Sequence, residues 1–304
     1  MDSKYIHSGI LRAILYADIF QYPLTAHEVC RFFIGNTPVS KVVVQKEIKN
    51  IPSLAFSDGY YALKEKKHNI RKRIDSEKIS TQKYVIAKKI CFLLSHIPTI
   101  LLIGISGGLA MNNVQQDDDI DLFVITKNNM LWTTRLVTLL ILRIMGVQRR
   151  KKSLHVSNKI CLNMMVTVSG MAIPNKKRNL FTAHEVAQMK PLFIRGDIYK
   201  RFLLANRWIY TFLPNVIPAE AGIQKYIHID SHLSPKGTSF FEAAHGNDKV
   251  NMFEFVAKKL QLWYMRSHVT TEVVSDTILA FHPKDYTETV LKKYNERVKR
   301  YKKI

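Results

Sequence analysis

Acidic residues are few in this chain. Its 304 residues carry 24 Asp plus Glu against 46 Lys plus Arg, a formal charge of +22. Such an imbalance favours a polyanionic partner: RNA, DNA, a triphosphate or an anionic membrane surface. Cysteine is scarce as well. Cys30, Cys91 and Cys161 are odd in number, far apart and set in apolar runs, which excludes a disulfide framework and suits buried thiols in a reducing compartment. The N-terminus lacks a cationic start followed by an apolar stretch and a small-residue cleavage site, so the expected location is the cytoplasm. Long apolar runs are missing too. The two greasiest stretches, 91–111 and 136–147, are broken by His96, Pro98 and paired glycines, and by Arg143. Neither makes a convincing span, and no membrane partner is expected.

What is present suffices for real cores. A hydrophobic share of 47% with 10% aromatics fits a globular α+β protein of two or three modest domains. Ile10, Ile14, Leu15, Ile19 and Phe20 recur at helical spacing. Thr25 followed by Glu28 is a capping-box signal for a second helix that Gly35 ends, and a third helix is expected from Ser40 to Ile48. Asp58-Gly59 between apolar flanks then marks a hairpin over 54–63. Three short helices and a hairpin are the element order of a winged helix, expected over residues 1–75. Its third helix carries Lys41, Gln45, Lys46 and Lys49, so this basic N-terminal region is a candidate contact for nucleic acid; packing against protein is the rival role. The basic run KEKKHNIRKR over 64–73 is either a solvated helix face or a phosphate-contacting linker. A connecting helix is expected over 76–98.

From Thr99 the character changes. Apolar strands are predicted at 100–105 and 120–126, an amphipathic helix at 131–146 stopped by Gly146, and another strand at 159–168. This describes a small mixed sheet flanked by helices, expected over 99–213. Thr182 and Glu185 repeat the capping-box spacing, so a helix is predicted over 181–192, and a further one over 199–212. Residues 214–250 are punctuated by proline and glycine without sustained periodicity and read as an irregular insertion. Helical periodicity returns over 253–266 and 285–302, making 251–304 a helical C-terminal part.

The chemistry lies between the first two central strands, in GGLAMNNVQQDDDID at 107–121. Residues two apart on a strand share a face, so Asp119 and Asp121 point together while Ile120 and Leu122 pack on the other side. Two carboxylates on a rigid strand suit one or two Mg²⁺. Gly107 and Gly108 let backbone amides approach phosphate oxygens with no Cβ in the way. Asp117 and Asp118 read as loop acids, with Asp118 pointing away from the acidic face.

Ile105-Ser106-Gly107-Gly108, about a dozen residues and then Asp119-Ile120-Asp121 resemble the signature of the nucleotidyltransferase superfamily typified by DNA polymerase beta. Gly108-Leu109-Ala110 matches the bacterial minimal version, in which Asn112 or Asn113 stands here for a further glycine. The likeness extends, more loosely, to bacterial proteins that join an N-terminal winged-helix-like region to such a domain, over residues 8–215 and 252–295.

The resemblance implies that Gly107 and Gly108, with Ser106, hold the phosphates of an NTP and that Asp119 and Asp121 bind the catalytic Mg²⁺. The implied reaction transfers a nucleoside monophosphate to an acceptor hydroxyl and releases pyrophosphate. Lys127 and Arg135, which follow the acidic strand, are expected to reach the triphosphate. The superfamily's third carboxylate, on a later strand, has no counterpart here: Asn163 occupies the most plausible position. An amide can coordinate a metal but cannot accept a proton, so the chain either borrows Glu185, is a weak enzyme, or is an inactive nucleotide-sensing, nucleic-acid-binding regulator.

Overall fold

The computed structural model describes residues 2–150, 156–216, 252–266, 273–280 and 286–301. The predicted insertion therefore lies, past residue 216, outside the described residues. Among the described residues no helix is long and apolar enough to cross a membrane.

The architecture is α+β. Helix α1, Ser3–Asp18, starts at Asp2, whose side chain accepts from the Lys4 amide. Strand β1, Leu24–Thr25, leads into α2, Ala26–Arg31, where Thr25 and Glu28 form the predicted capping box. Helix α3, Lys41–Glu47, begins one residue later than predicted because Ser40 is its cap. Strands β2, Leu54–Ser57, and β3, Tyr60–Leu63, meet at Asp58-Gly59. Both turn residues have positive φ, +51° and +85°, the backbone twist that joins tight hairpins. These strands form a three-stranded antiparallel sheet in the order β1-β3-β2.

Helix α4, Asn69–Leu94, runs 26 residues without a break, so the boundary expected after residue 75 falls inside it. It feeds the central sheet: β4, Ile100–Ile105; the one-turn helix α5, Gly107–Ala110; β5, Ile120–Thr126; α6, Leu131–Ile144; and β6, Ile160–Thr167. Gly146, at φ +67°, follows α6 in the left-handed conformation expected of its stop.

Beyond β6 the structure departs from the expected helices. Helix α7, Leu180–Gln188, stops early and β7, Lys190–Ile194, takes over. The predicted 199–212 helix is only α8, Ile198–Ala205, followed by a short 3₁₀ turn. Asn206 divides them, its side chain accepting from the Ile173 amide and donating to the Met171 carbonyl. The C-terminal part is not wholly helical either. Between α9, Met252–Met265, and α10, Thr287–Tyr301, lie the short strands β8, Val273–Val274, and β9, Ile278–Ala280.

The central sheet thus has six strands in the order β7-β4-β5-β6-β9-β8. Only β5 and β6 run parallel; every other neighbouring pair is antiparallel. One face buries Ile120, Leu122 and Val124 in a cluster with residues of α4 and α6. The opposite face packs Phe123 and Ile125 with Phe202 and also with Ile10, Phe33 and Val44 of the N-terminal helices. The N-terminal region and this sheet face therefore share one continuous core.

Candidate metal and phosphate site

At the end of β4 the chain must turn sharply beside β5. Ser106 is extended, and its amide donates to the Asp121 carbonyl at 3.0 Å. Gly107 then takes φ +62°, and a Cβ there would stand 2.8 Å from Asp121 Oδ2. Any larger residue would meet both backbone strain and the carboxylate. A Cβ on Gly108 would press the Asn113 carbonyl at 3.0 Å, and Asn112 completes the turn at φ +53°. The glycine pair thus lets the turn pack directly on one of the two acids.

Asp119 and Asp121 share a side, as strand geometry requires. In the parallel register Asp121 faces Cys161 of β6. Ligand atoms of Asp119, Asp121 and Cys161 all lie within 4.8 Å of one another. Burial, reinforced by the Asp119 charge, lifts the Asp121 carboxyl to about 7. The Cys161 thiol is pushed up to about 12 by burial and then by the two acids. Asp119 Oδ2 has no hydrogen-bond partner, although Arg149 Nη1 lies 2.8 Å away at ion-pair distance; the contact is close but poorly aligned. Two crowded carboxylates, with the Cys161 sulfur beside them, are the side chains here that could hold a divalent ion. Asp118 points away, accepting from the Gln115 amide at 2.8 Å.

Helix α4 holds the loop between the glycines and the acids. Arg73 and Lys83 are each only 1% exposed, so their charges must be met inside the protein. Arg73 Nη1 donates to the carbonyls of Met111 and Asn112 at 3.1 and 2.7 Å. Its Nη2 pairs with Glu28 and Glu77. Lys83 Nζ donates to the Gln116 and Asp118 carbonyls at 3.0 and 2.7 Å, and to Asn158. Two buried cations thereby fix both ends of the loop from one rigid helix.

The strand pairing slips by one residue after Leu122 and Leu162, leaving Asn163 as an extra residue before Phe123 meets Met164. This β-bulge turns Asn163 inward. It is buried, and its Nδ2 reaches Ser106 Oγ at 3.4 Å. Asn163 thus sits against the residue that precedes the glycine pair. Glu185 belongs to α7, which packs on the Phe123 and Ile125 face of the sheet, and it feels the Asp121 charge. Burial, then repulsion from Asp121, lifts its carboxyl to about 7.

Lys127 and Arg135 do not join this group. Lys127 is exposed and follows the far end of β5, about 20 Å along the strand from Asp121 at ~3.3 Å per residue. Helix α6 starts at that far end, and Arg135 on it is half-buried, donating to Gln261 of α9. Burial lowers its guanidinium to about 10. The cause lies in α9. Glu254 caps α6 by accepting from the Trp132 and Thr133 amides at 2.7 and 2.8 Å, and this docking commits Arg135 to the α6–α9 interface. The site's cation is instead Arg149, brought back at the other end of α6. Sequence reasoning missed Arg149, Cys161, Arg73 and Lys83. Two of them carried a signal: Arg73 ends the basic run at 64–73, and Arg149 belongs to a basic stretch, 148–153, before β6.

Comparison of the chain with family models, curated proteins and solved structures finds no match.

Proposed function

We propose that the protein is a nucleotidyltransferase, moving a nucleoside monophosphate from an NTP to an acceptor hydroxyl. The observation that carries this reading is the packing of Gly107 directly on Asp121 beside Asp119. Asp119 and Asp121, with Cys161 adjoining, would hold one or two Mg²⁺, which when bound neutralise phosphate charge and polarise the reacting oxygens. The Gly107 and Gly108 amides and Ser106 would orient the triphosphate. Asn163 steadies Ser106, while Arg73 and Lys83 keep the loop in place, so positioning is prepared before substrate arrives. Arg149 would leave Asp119 for a phosphate oxygen. Glu185 would take the proton of the attacking hydroxyl, and a carboxyl near 7 suits a base working at neutral pH. The bond from the α-phosphate to the bridging oxygen breaks as the new ester forms, releasing pyrophosphate.

A nucleic acid is the acceptor favoured by the charge of +22 and by Lys41, Gln45, Lys46 and Lys49, all exposed on or just after α3. A second reading, in which the site only senses nucleotide, draws on the Arg149–Asp119 contact, which would make nucleotide binding an exchange of ion-pair partners.

The test is incubation with each labelled NTP and Mg²⁺, alone and with cell extract, beside an Asp119→Ala, Asp121→Ala double variant. Label transfer by the parent and none by the variant is expected. Transfer that survives the double substitution removes the mechanism; binding of NTP without transfer selects the sensor. Because the N-terminal region shares the main core, the nucleic-acid contact is tested in the full chain with Lys46→Glu, Lys49→Glu. Salt-dependent RNA or DNA binding should weaken.

A further inference from the structure

A second feature stands apart from the acidic site. The end of α1, the start of α4 and α10 enclose a cleft of about 330 Å³ whose lining includes Lys66, His68, Asn69, Lys72, Lys293 and Arg297. Its one acid, Asp18, is already paired with Arg297. Lys66, Lys72 and Lys293 are exposed into this space, with Lys72 Nζ also 3.0 Å from Gln21 Oε1. The start of α4 points at the cleft, and its cap residue His68 supplies no side-chain acceptor. The first amides of a long helix attract anions when no side chain satisfies them. Asn69 is 3% exposed, yet its Oδ1 has no hydrogen-bond partner. A buried acceptor left unmet costs free energy unless a donor reaches it. Turning the amide over puts its NH₂ in that place, as a donor that an anion can meet.

We propose that this cleft binds a phosphate-bearing ligand, using the α4 N-terminus, Asn69 and the surrounding Lys66, Lys72 and Lys293. Free polyphosphate and a nucleic-acid backbone share that chemistry. The cleft volume suits two or three phosphoryl groups, at the lower end of small-molecule sites. The position also ties it to the glycine turn. Asn69 lies one helical turn before Arg73, which holds Met111 and Asn112. Asn113 Nδ2 donates to the Phe20 carbonyl at 3.1 Å, between cleft residues Ile19 and Gln21. A ligand ordering the start of α4 therefore steadies the turn that carries Gly107.

The experiment is titration calorimetry of the full chain with inorganic tripolyphosphate, and separately with a short single-stranded DNA, in EDTA at low ionic strength. Saturable binding is expected, weakened about tenfold or more by Lys66→Glu, Lys293→Glu. A charge-matched Lys176→Glu, Lys177→Glu pair should change it less than about twofold. Asn69→Asp, nearly isosteric, should weaken binding as the cleft reversal does. In the Asp119→Ala, Asp121→Ala background the same loss on Lys66→Glu, Lys293→Glu should appear, so failure of the proposed enzymatic reading leaves this inference standing. Tripolyphosphate binding assigns a small phosphate ligand, and cleft-dependent binding of DNA alone assigns a nucleic-acid backbone. Absence of saturable binding to either, equal losses in both charge-reversal pairs, or no loss from the cleft reversal in the Asp119→Ala, Asp121→Ala background would overturn the proposal.

Discussion

The five-residue word Thr-Ala-His-Glu-Val occurs twice, at 25–29 and 182–186, and the two copies do different things. In the first, Thr25 caps α2, Glu28 closes the capping box and His27 is exposed. The Glu28 carboxylate is fully engaged, accepting from the Thr25 amide at 2.9 Å and Tyr22 at 2.6 Å and pairing with Arg73. In the second, α7 has already begun. Asn179 is the cap, and Thr182 returns the bond from the third helical position, so the box predicted from Thr182 and Glu185 is displaced by three residues. His184 is buried, stacked 3.9 Å from the Tyr16 ring, and burial lowers its imidazole to about 3. Glu185 feels the charge of Asp121. A local word sets the option of a cap; the neighbours supplied by the fold decide whether its glutamate is a structural anchor or a chemical group held ready.

The contrast is sharpest if the two glutamates are exchanged for glutamine. Glu185→Gln should lower label transfer by about 10²- to 10⁴-fold, the usual scale for a lost general base, with the melting temperature unchanged or raised. Glu28→Gln should leave transfer within a few-fold of the parent and cost about 1.5–3 kcal/mol of stability, because Arg73 loses a charged partner in the interior. Urea denaturation and the transfer assay together read both. Equal effects of the two substitutions on either measurement would break the distinction.

A smaller effect separates the two regions by pH. Asp121 and Glu185 have folded-state values of about 7 against ordinary values of 3.8 and 4.5. A raised carboxyl contributes stability that is complete below its unfolded value and is lost as pH rises through the folded one. Metal-free protein should therefore fall behind Asp121→Asn progressively between about pH 4 and pH 7. His184 acts in the opposite sense, losing stability as pH falls from 6.5 toward 3, but it is common to both proteins and cancels in the difference. Mg²⁺ or Mn²⁺ should recover the deficit at pH 8 and little at pH 5. A melting-temperature gap that stays flat with pH would contradict the buried, mutually repelling carboxylates described above.

Much of the acidic site was legible because it is local. The bounds of β4 and β5, the Asp58-Gly59 turn and the shared side of Asp119 and Asp121 follow from periodicity and turn chemistry within a few residues. Strand β7 was not legible, since Met189-Lys190 continues the helical pattern and all but its first residue are buried, giving no alternation. Strands β8 and β9 are two and three residues long; β9 owes its existence to pairing with β6, more than a hundred residues earlier, and β8 to pairing with β9. The run at 64–73 offered a solvated face or a phosphate-contacting linker. Arg73, its last residue, is instead satisfied by carbonyls at 111 and 112, acceptors that sequence cannot place beside it. Lys127 and Arg135 failed for the complementary reason: nearness in sequence to Asp121 carried them along β5 and away from it.

The smallest test returns to the caps. In the first word, Thr25→Ala removes the acceptor for the Glu28 amide, 3.2 Å away, and should cost about 1 kcal/mol. In the second, that cost should fall on Asn179→Ala, because Asn179 Oδ1 accepts from the Thr182 amide at 3.0 Å. Thr182→Ala removes a hydroxyl that accepts from the Asn179 amide at 3.1 Å and donates to the Lys177 and Asn179 carbonyls at 2.8 and 3.2 Å. These bonds lie at the half-solvated start of α7, where water replaces them, and their net loss should be worth about 0.5 kcal/mol. Stability should therefore rank Thr182→Ala above both Thr25→Ala and Asn179→Ala in urea midpoints. If Thr182→Ala proves the costliest of the three, α7 starts at Thr182 after all. The different surroundings of Glu28 and Glu185 would then have to be explained by the packing of His184 on Tyr16 alone.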